Sequence, residues 1–167
     1  MPSSRFFPIG SHNRRLTEDY VHQDIHDGKV YRINEYYLLG AASSVSIMMT
    51  TGADVTHLTV GLNTDGPGTG GFYEDTVATG GSAITALNAD RANVDASEVT
   101  LVKDPTISTV GTTLGRSVVG SIGFKSVAGG SVLSDCWLLK PSSKYTLRFI
   151  ADAASCRTVM KMVFSTD

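Results

Sequence analysis

The sequence has 167 residues, of which 41% are hydrophobic and 18% charged, with a formal net charge of −2. This is the composition of one globular domain with a sizeable core and not of a disordered chain. The charge balance lacks the strongly basic footprint of a nucleic-acid-binding protein, and no apolar run reaches the roughly 18–20 residues of a membrane span.

Residues 1–20 read as an extended arm ahead of a β domain at 21–167. Arg5, Arg14 and Arg15 precede the first carboxylate, Glu18, and the segment has no sustained periodicity. It has no apolar h-region, so no signal peptide is expected. Phe6-Phe7, followed by Pro8, places two adjacent aromatics in this arm. Aromatics and arginines carry much of the binding energy at interfaces. Arg5, Phe6, Phe7, Ile9, Arg14 and Arg15 are therefore candidate contact residues. Ordering a residue costs about 1–2 kcal/mol, and a fully buried Phe contributes about 2 kcal/mol. Docking of a short piece, Arg5–Ile9, is expected, and not of the whole arm.

The next stretch, VHQDIHDGKVYR (Val21–Arg32), spaces His22 and His26 four apart. Two His at i, i+4 on a helix can bind zinc, as in H-E-x-x-H. Here Gln23 follows His22, so the general base of that motif is missing, and Asp27-Gly28 ends any helix after His26. No metal is expected; the stretch reads as a polar junction into the first strand.

From about residue 29 the period is two. Tyr31 and Ile33 alternate with Val30 and Arg32; Val45, Ile47 and Met49 with Ser44, Ser46 and Met48; Leu58, Val60 and Leu62 with His57, Thr59 and Gly61. Near the C-terminus, Tyr145, Leu147 and Phe149 repeat the pattern, as do Met160, Met162 and Phe164. Such alternation marks half-buried strands. Turn signals separate the runs at Asp27-Gly28, Thr51-Gly52, Asp65–Gly71, Gly80-Gly81, Asp104-Pro105, Gly129-Gly130 and Lys140-Pro141. Asp65–Gly71 reads as a surface loop: it lacks the Lys of a P-loop and the repeated acids of a calcium loop. Ala83–Arg91, with Ile84 and Leu87 three apart, reads as one helical turn or a wide loop. Within it, Asn88-Ala-Asp90-Arg91 reads as a loop clamp in which Arg91 pairs locally or reaches a neighbouring subunit.

The expected fold is all-β: an antiparallel two-sheet β-sandwich of about eight strands between residues 29 and 165. A jelly roll is the first expectation for its topology and an immunoglobulin-like sandwich the second. Tyr31, Ile47, Leu58, Val60, Tyr145, Leu147, Phe149 and Met162 should lie inside, with Trp137 mostly buried. Cys136 and Cys156 read as free, mostly buried thiols.

No catalytic constellation stands out. Glu74 and Asp75 are adjacent and would point to opposite faces of a strand, so they do not converge on one substrate. There is no G-x-S-x-G elbow. No catalytic, cofactor-binding or metal-binding residue is assigned, and no enzymatic activity is expected.

Three stretches carry a resemblance: IHDGKVYRINEYYLLGAASSVSIMMTTG, FYEDTVATGGSAITALNADR and WLLKPSSKYTLRFIADA. Together they resemble small proteins encoded in the head gene clusters of tailed bacteriophages, over most of residues 20 to 155. This chain has Asp90 where that family's N-x-N-R has a second Asn. The resemblance implies a capsid decoration, or cement, protein on the outer surface of the virion, made in the host cytoplasm. Its partner would be the major capsid protein. Exposed strand edges and shell symmetry point to a homo-oligomer, a trimer or dimer, with no membrane and no direct nucleic-acid contact. The alternative is a receptor-binding or fibre module, for which Tyr36-Tyr37 and Phe72-Tyr73 are the aromatic candidates.

Overall fold

The computed structural model describes residues 22–119, 136–166 and the main chain of 130–132. The arm contacts Arg5, Phe6, Phe7, Ile9, Arg14 and Arg15 lie outside the described residues. A helical turn over residues 22–26 ends at Asp27-Gly28, where Gly28 takes a φ of 71°. Asn93 packs so closely on Gly28 that a Cβ there would collide with its amide.

Among the described residues fourteen strands follow. They are β1 (Val30–Leu39), β2 (Ser44–Thr50), β3 (Thr56–Thr64), β4 (Gly68–Glu74), β5 (Val77–Thr79), β6 (Ser82–Ile84), β7 (Leu87–Asn88), β8 (Thr100–Lys103), β9 (Thr106–Thr109), β10 (Thr112–Val119), β11 (Gly130–Val132), β12 (Cys136–Leu139), β13 (Lys144–Ala151) and β14 (Cys156–Thr166). They form two antiparallel sheets packed face to face. Sheet A runs β11–β3–β14–β1–β7, with β12 also on β3; sheet B runs β10–β4–β13–β2–β8–β6. A separate ribbon pairs β5 with β9. The frame has two facing halves, β1–β14–β3–β12 and β2–β13–β4–β10, and successive strands β1 to β4 alternate between sheets.

The expected core is in place. Ile47, Leu58, Val60, Leu147, Phe149 and Met162 are fully enclosed, with Tyr31 and Tyr145 nearly so. The reason is the period-two pattern: the apolar member of each pair faces the opposite sheet, and the alternate member faces outward. Phe72 stacks on Tyr145 with ring centroids 5.9 Å apart and tilts against Trp137 at 5.7 Å.

Three local expectations are corrected. Asp65–Gly71 is not a surface loop throughout: Gly68, Gly70 and Gly71 belong to β4 and are buried. A Cβ at Gly68 would collide with the Phe149 ring and the Ile150 carbonyl, and one at Gly70 with Leu62. These glycines let large side chains cross over the strand. Ala83–Arg91 is neither a helical turn nor a simple loop. Its residues form β6 on sheet B and β7 on sheet A, so the segment crosses from one sheet to the other. Trp137 is mostly buried, as expected, and packs against the core from the margin of sheet A. Cys156 is buried and free, with Sγ 2.9 Å from Thr64 Oγ1, but Cys136 is free and exposed, since the register with Thr59 sets it on the outer face.

A polar anchor closes one end of the sandwich. Tyr145 donates its hydroxyl hydrogen to Glu74 Oε1 at 2.9 Å and accepts the Lys140 main-chain N–H at 2.9 Å. Lys140 Nζ lies 3.0 Å from the same Glu74 oxygen. The hydrogen bonds from Lys140 and Tyr145 hold the Glu74 carboxyl below its ordinary value. Burial foremost, together with Glu74, pushes the Tyr145 hydroxyl up. Nearby, Thr51 Oγ1 donates to the Lys140 carbonyl at 2.7 Å and accepts the Ser143 N–H at 2.9 Å.

Gly68→Ala should destabilise the fold by at least about 1–3 kcal/mol through overpacking. Gly61→Ala, whose Cβ would meet only Lys161 Cβ at 3.6 Å, should be close to neutral; urea unfolding of both variants checks the contrast. Glu74→Gln should cost about 1–3 kcal/mol at neutral pH. A carboxyl with a depressed folded-state pKa adds stability above its ordinary value and loses it as pH falls through the depressed one. The gap between wild type and Glu74→Gln should therefore be full at neutral pH and close on acidification, as read from unfolding midpoints across a pH series.

Candidate functional site

The two outer faces of the sandwich differ. On sheet B, Ser46, Met48 and Thr146 alternate with core residues yet are buried. Pro105 and Ile107, at the start of the β5–β9 ribbon, share a cleft with Ser44, Ser46 and Arg148 on that face. Sheet A keeps its outer face open. Along β1 the outward residues Arg32, Asn34, Tyr36 and Leu38 are all exposed, Tyr36 by 61% and Leu38 by 66%. Across the ladder, Asn34 sits opposite Lys161 and Leu38 opposite Arg157, both exposed.

The edge of β1 is mostly unpaired. β7 pairs only with Tyr31 and Arg32. The main-chain N–H of Ala89 donates to the Val30 carbonyl at 2.7 Å, which fixes the phase of the ladder. By the alternation of an antiparallel pair, the main-chain groups of Asn34, Tyr36 and Leu38 face the same edge, where no described strand meets them.

Where β7 leaves β1, a groove of about 490 Å³ opens between the two. Arg32, Asn34 and Lys161 line it from sheet A, and Thr85, Leu87 and Arg91 from the crossing segment. The expected loop clamp is what positions Arg91. Buried Asn88 donates its side-chain amide to the Gly28 carbonyl at 2.6 Å and accepts the Asp90 N–H at 2.9 Å. Asp90 accepts the Ala92 N–H at 2.9 Å. The Asp90 carboxylate is thus engaged with the main chain, and Arg91 makes no ion pair with any described residue. Nor do Arg32 and Lys161. The one carboxylate lining the groove, Glu35, already lies 3.5 Å from Lys103. Three cations therefore line one groove, none of them ion-paired with a described residue. Sequence reasoning identified Arg91 alone. Arg32 and Lys161 were missed because they look like ordinary outward strand residues.

Other polar clusters are self-contained. His22 Nε2 and His26 Nε2 lie 3.1 Å apart with edge-to-face rings, so each imidazole is the other's partner. Among the described residues no third metal-ligating side chain joins them. Tyr37 has its hydroxyl buried without a partner, and burial, with Asp104 and Glu35 adding, pushes its ionisation far above the usual phenol range. Of the remaining aromatic candidates, Phe72 is core and Tyr73 half-buried, which leaves Tyr36 as the exposed one. Asp75 leaves the strand at a positive φ of 60°, while Glu74 turns inward to Tyr145.

Comparison with protein-family models, with curated proteins and with solved structures gives no match.

A structural zinc site takes four ligands, and the His pair supplies two. Zinc titrated into chelator-treated protein should bind without stoichiometric high affinity. The thermal midpoint of the His22→Ala/His26→Ala double variant should be insensitive to added zinc; one tightly held zinc per chain, lost in that variant, would contradict this.

Proposed function

We propose that the chain is a structural virion protein that decorates and stabilises the outer surface of a tailed-phage capsid, with the major capsid protein as its partner. The observation that carries this reading is the asymmetry of the body. A tightly packed two-sheet frame has one outer face met by Pro105 and Ile107 at the start of its ribbon, and presents on the other an edge with no strand partner beyond Arg32, exposed Tyr36 and Leu38, and three cations without an ion pair, among the described residues. A surface of that kind on a rigid body suits adhesion. Weak contacts of this sort become effective when many copies clamp one shell. We read the order β1–β14–β3–β12 against β2–β13–β4–β10 as jelly-roll winding, with residues 75–111 inserted between the fourth and fifth strands of the roll.

The resemblance in the sequence supports the same reading, and so does the composition of residues 1–20, whose Arg5, Phe6, Phe7 and Ile9 are suited to anchoring on a partner. A homo-oligomer, trimer or dimer, fits shell symmetry. A receptor-binding or fibre-type module is the second reading, favoured by Tyr36 standing exposed on an otherwise open sheet face.

Cryo-electron microscopy of the source particle decides between shell and tail tip. Deleting residues 1–19 should leave the β domain folded, because β1 begins at Val30. The truncated protein should bind undecorated shells at least about tenfold more weakly, as expected for loss of two aromatic anchors. Unchanged affinity would remove the arm from the docking surface.

A further inference from the structure

We propose that the groove beside the open edge of β1 docks an extended acidic peptide segment, which adds to sheet A as a further strand. The inference deepens the decoration reading by giving the chemistry of the partner's contact segment. Its test uses peptides alone, so it can fail while shell binding stands, and the reverse.

Three observations converge. The first is the edge. From Asn34 to Leu38 the outward main-chain groups have no ladder partner among the described residues. Native proteins block such edges with Lys, Pro or a bulge. This stretch has no Lys or Pro, its ladder with β14 runs without a register shift, and its one charged side chain, Glu35, is paired with Lys103 on the side away from the outer face. An incoming strand would pair by main-chain hydrogen bonds and place alternate side chains on the outer face. The second is charge. Those side chains would lie near Arg32 and Arg91 at the β7 end, with Lys161 reaching the same groove from β14 across β1; none of the three makes an ion pair with a described residue. The third is the apolar pair Tyr36 and Leu38 further along the same row. An occupant with carboxylates at one end and an apolar residue at the other matches all three.

Charge also decides against two other occupants. A second copy pairing β1 to β1 about Tyr36 would set Asn34 against Leu38 of the other chain and bring no carboxylate to the cations. Residues 1–20 of this chain or a copy carry three arginines against Glu18 and Asp19, so they are not acidic. The favoured occupant is a segment of another protein.

The probe is a fluorescein-labelled peptide of about eight residues, the length of an ordinary strand, whose alternate positions carry Glu in one half and Val in the other, with Thr between them. It is compared with its Lys-for-Glu counterpart and with a version N-methylated at every second amide. The full chain is titrated by fluorescence anisotropy at low and physiological salt. The acidic peptide should bind, more weakly at higher salt, and the basic one should not. Arg32→Glu/Lys161→Glu should weaken binding by at least about tenfold, with the unfolding midpoint confirming that the variant is folded. Arg91→Glu, on a loop held by main-chain bonds, gives an independent second variant. N-methylation should weaken binding to a similar extent, because it removes the hydrogen bonds to the edge. Absence of binding, or binding unchanged in both charge variants, overturns the proposal. So does an N-methylated peptide that binds as well as its parent while a heparin fragment competes equally, since the groove would then be a general polyanion site.

Discussion

The fold depends on one constraint: the central strand of each sheet is supplied by the C-terminal end of the chain. β14 lies between β1 and β3, and β13 lies between β2 and β4. The early strands β1 and β3 do not pair with each other, nor do β2 and β4. Val30 finds its ladder partner at Ser165, and Val45 at Phe149. The pairings made by these two central strands therefore join residues far apart in the chain, which imposes a large loop-closure entropy before contacts compensate it. The interior is accordingly apolar and dense. Met160, Met162 and Phe164 on β14 face Leu147 and Phe149 on β13 with essentially no exposure.

Dense packing leaves little room for error at the sheet ends, where the polar ties sit. Asp65 Oδ1 accepts the Arg157 N–H at 2.6 Å and fixes the start of β14 against the end of β3. Thr51 does the same for β2 and the turn before β13. The Glu74–Tyr145–Lys140 cluster satisfies a tyrosine hydroxyl next to the core without leaving a buried charge alone. Each tie joins residues far apart in sequence, so they reinforce the non-local register set by the apolar pattern.

The segment between β4 and β10 explains why one surface is closed and the other open. Its β8 and β6 extend sheet B, and Pro105 and Ile107 at the start of its ribbon share a cleft with the outer face of that sheet. Only two residues, β7, return to sheet A, because Ile84 and Ala86 are drawn toward the core and Asn88 is tied to Gly28. Beyond Arg32 the edge of β1 has no strand partner among the described residues, and the groove is the space between that edge and the departing chain.

The sequence by itself determined the class of fold and the identity of the core. Alternation in Val45–Met49, Leu58–Leu62 and Tyr145–Phe149 is a local property, and a period of two allows only one set of side chains to face inward. It also determined the turns at Asp27-Gly28, Gly80-Gly81 and Lys140-Pro141, since Gly and Pro act on their own backbone. Local patterns could not reveal the role of Gly68 and Gly70. Their neighbours, Phe149 and Leu62, come from other strands, so the glycines looked like loop residues. The sheet-crossing path of residues 82–91 was likewise hidden, because two strands of three and two residues have no periodicity of their own. The groove was decided entirely by tertiary structure. Arg32, Arg91 and Lys161 become neighbours only when β14 pairs with β1 in the register that sets Lys161 opposite Asn34 and when Asn88 anchors the loop. Charges separated by that much chain meet only through strand register, and register is fixed by the packing of the whole sandwich.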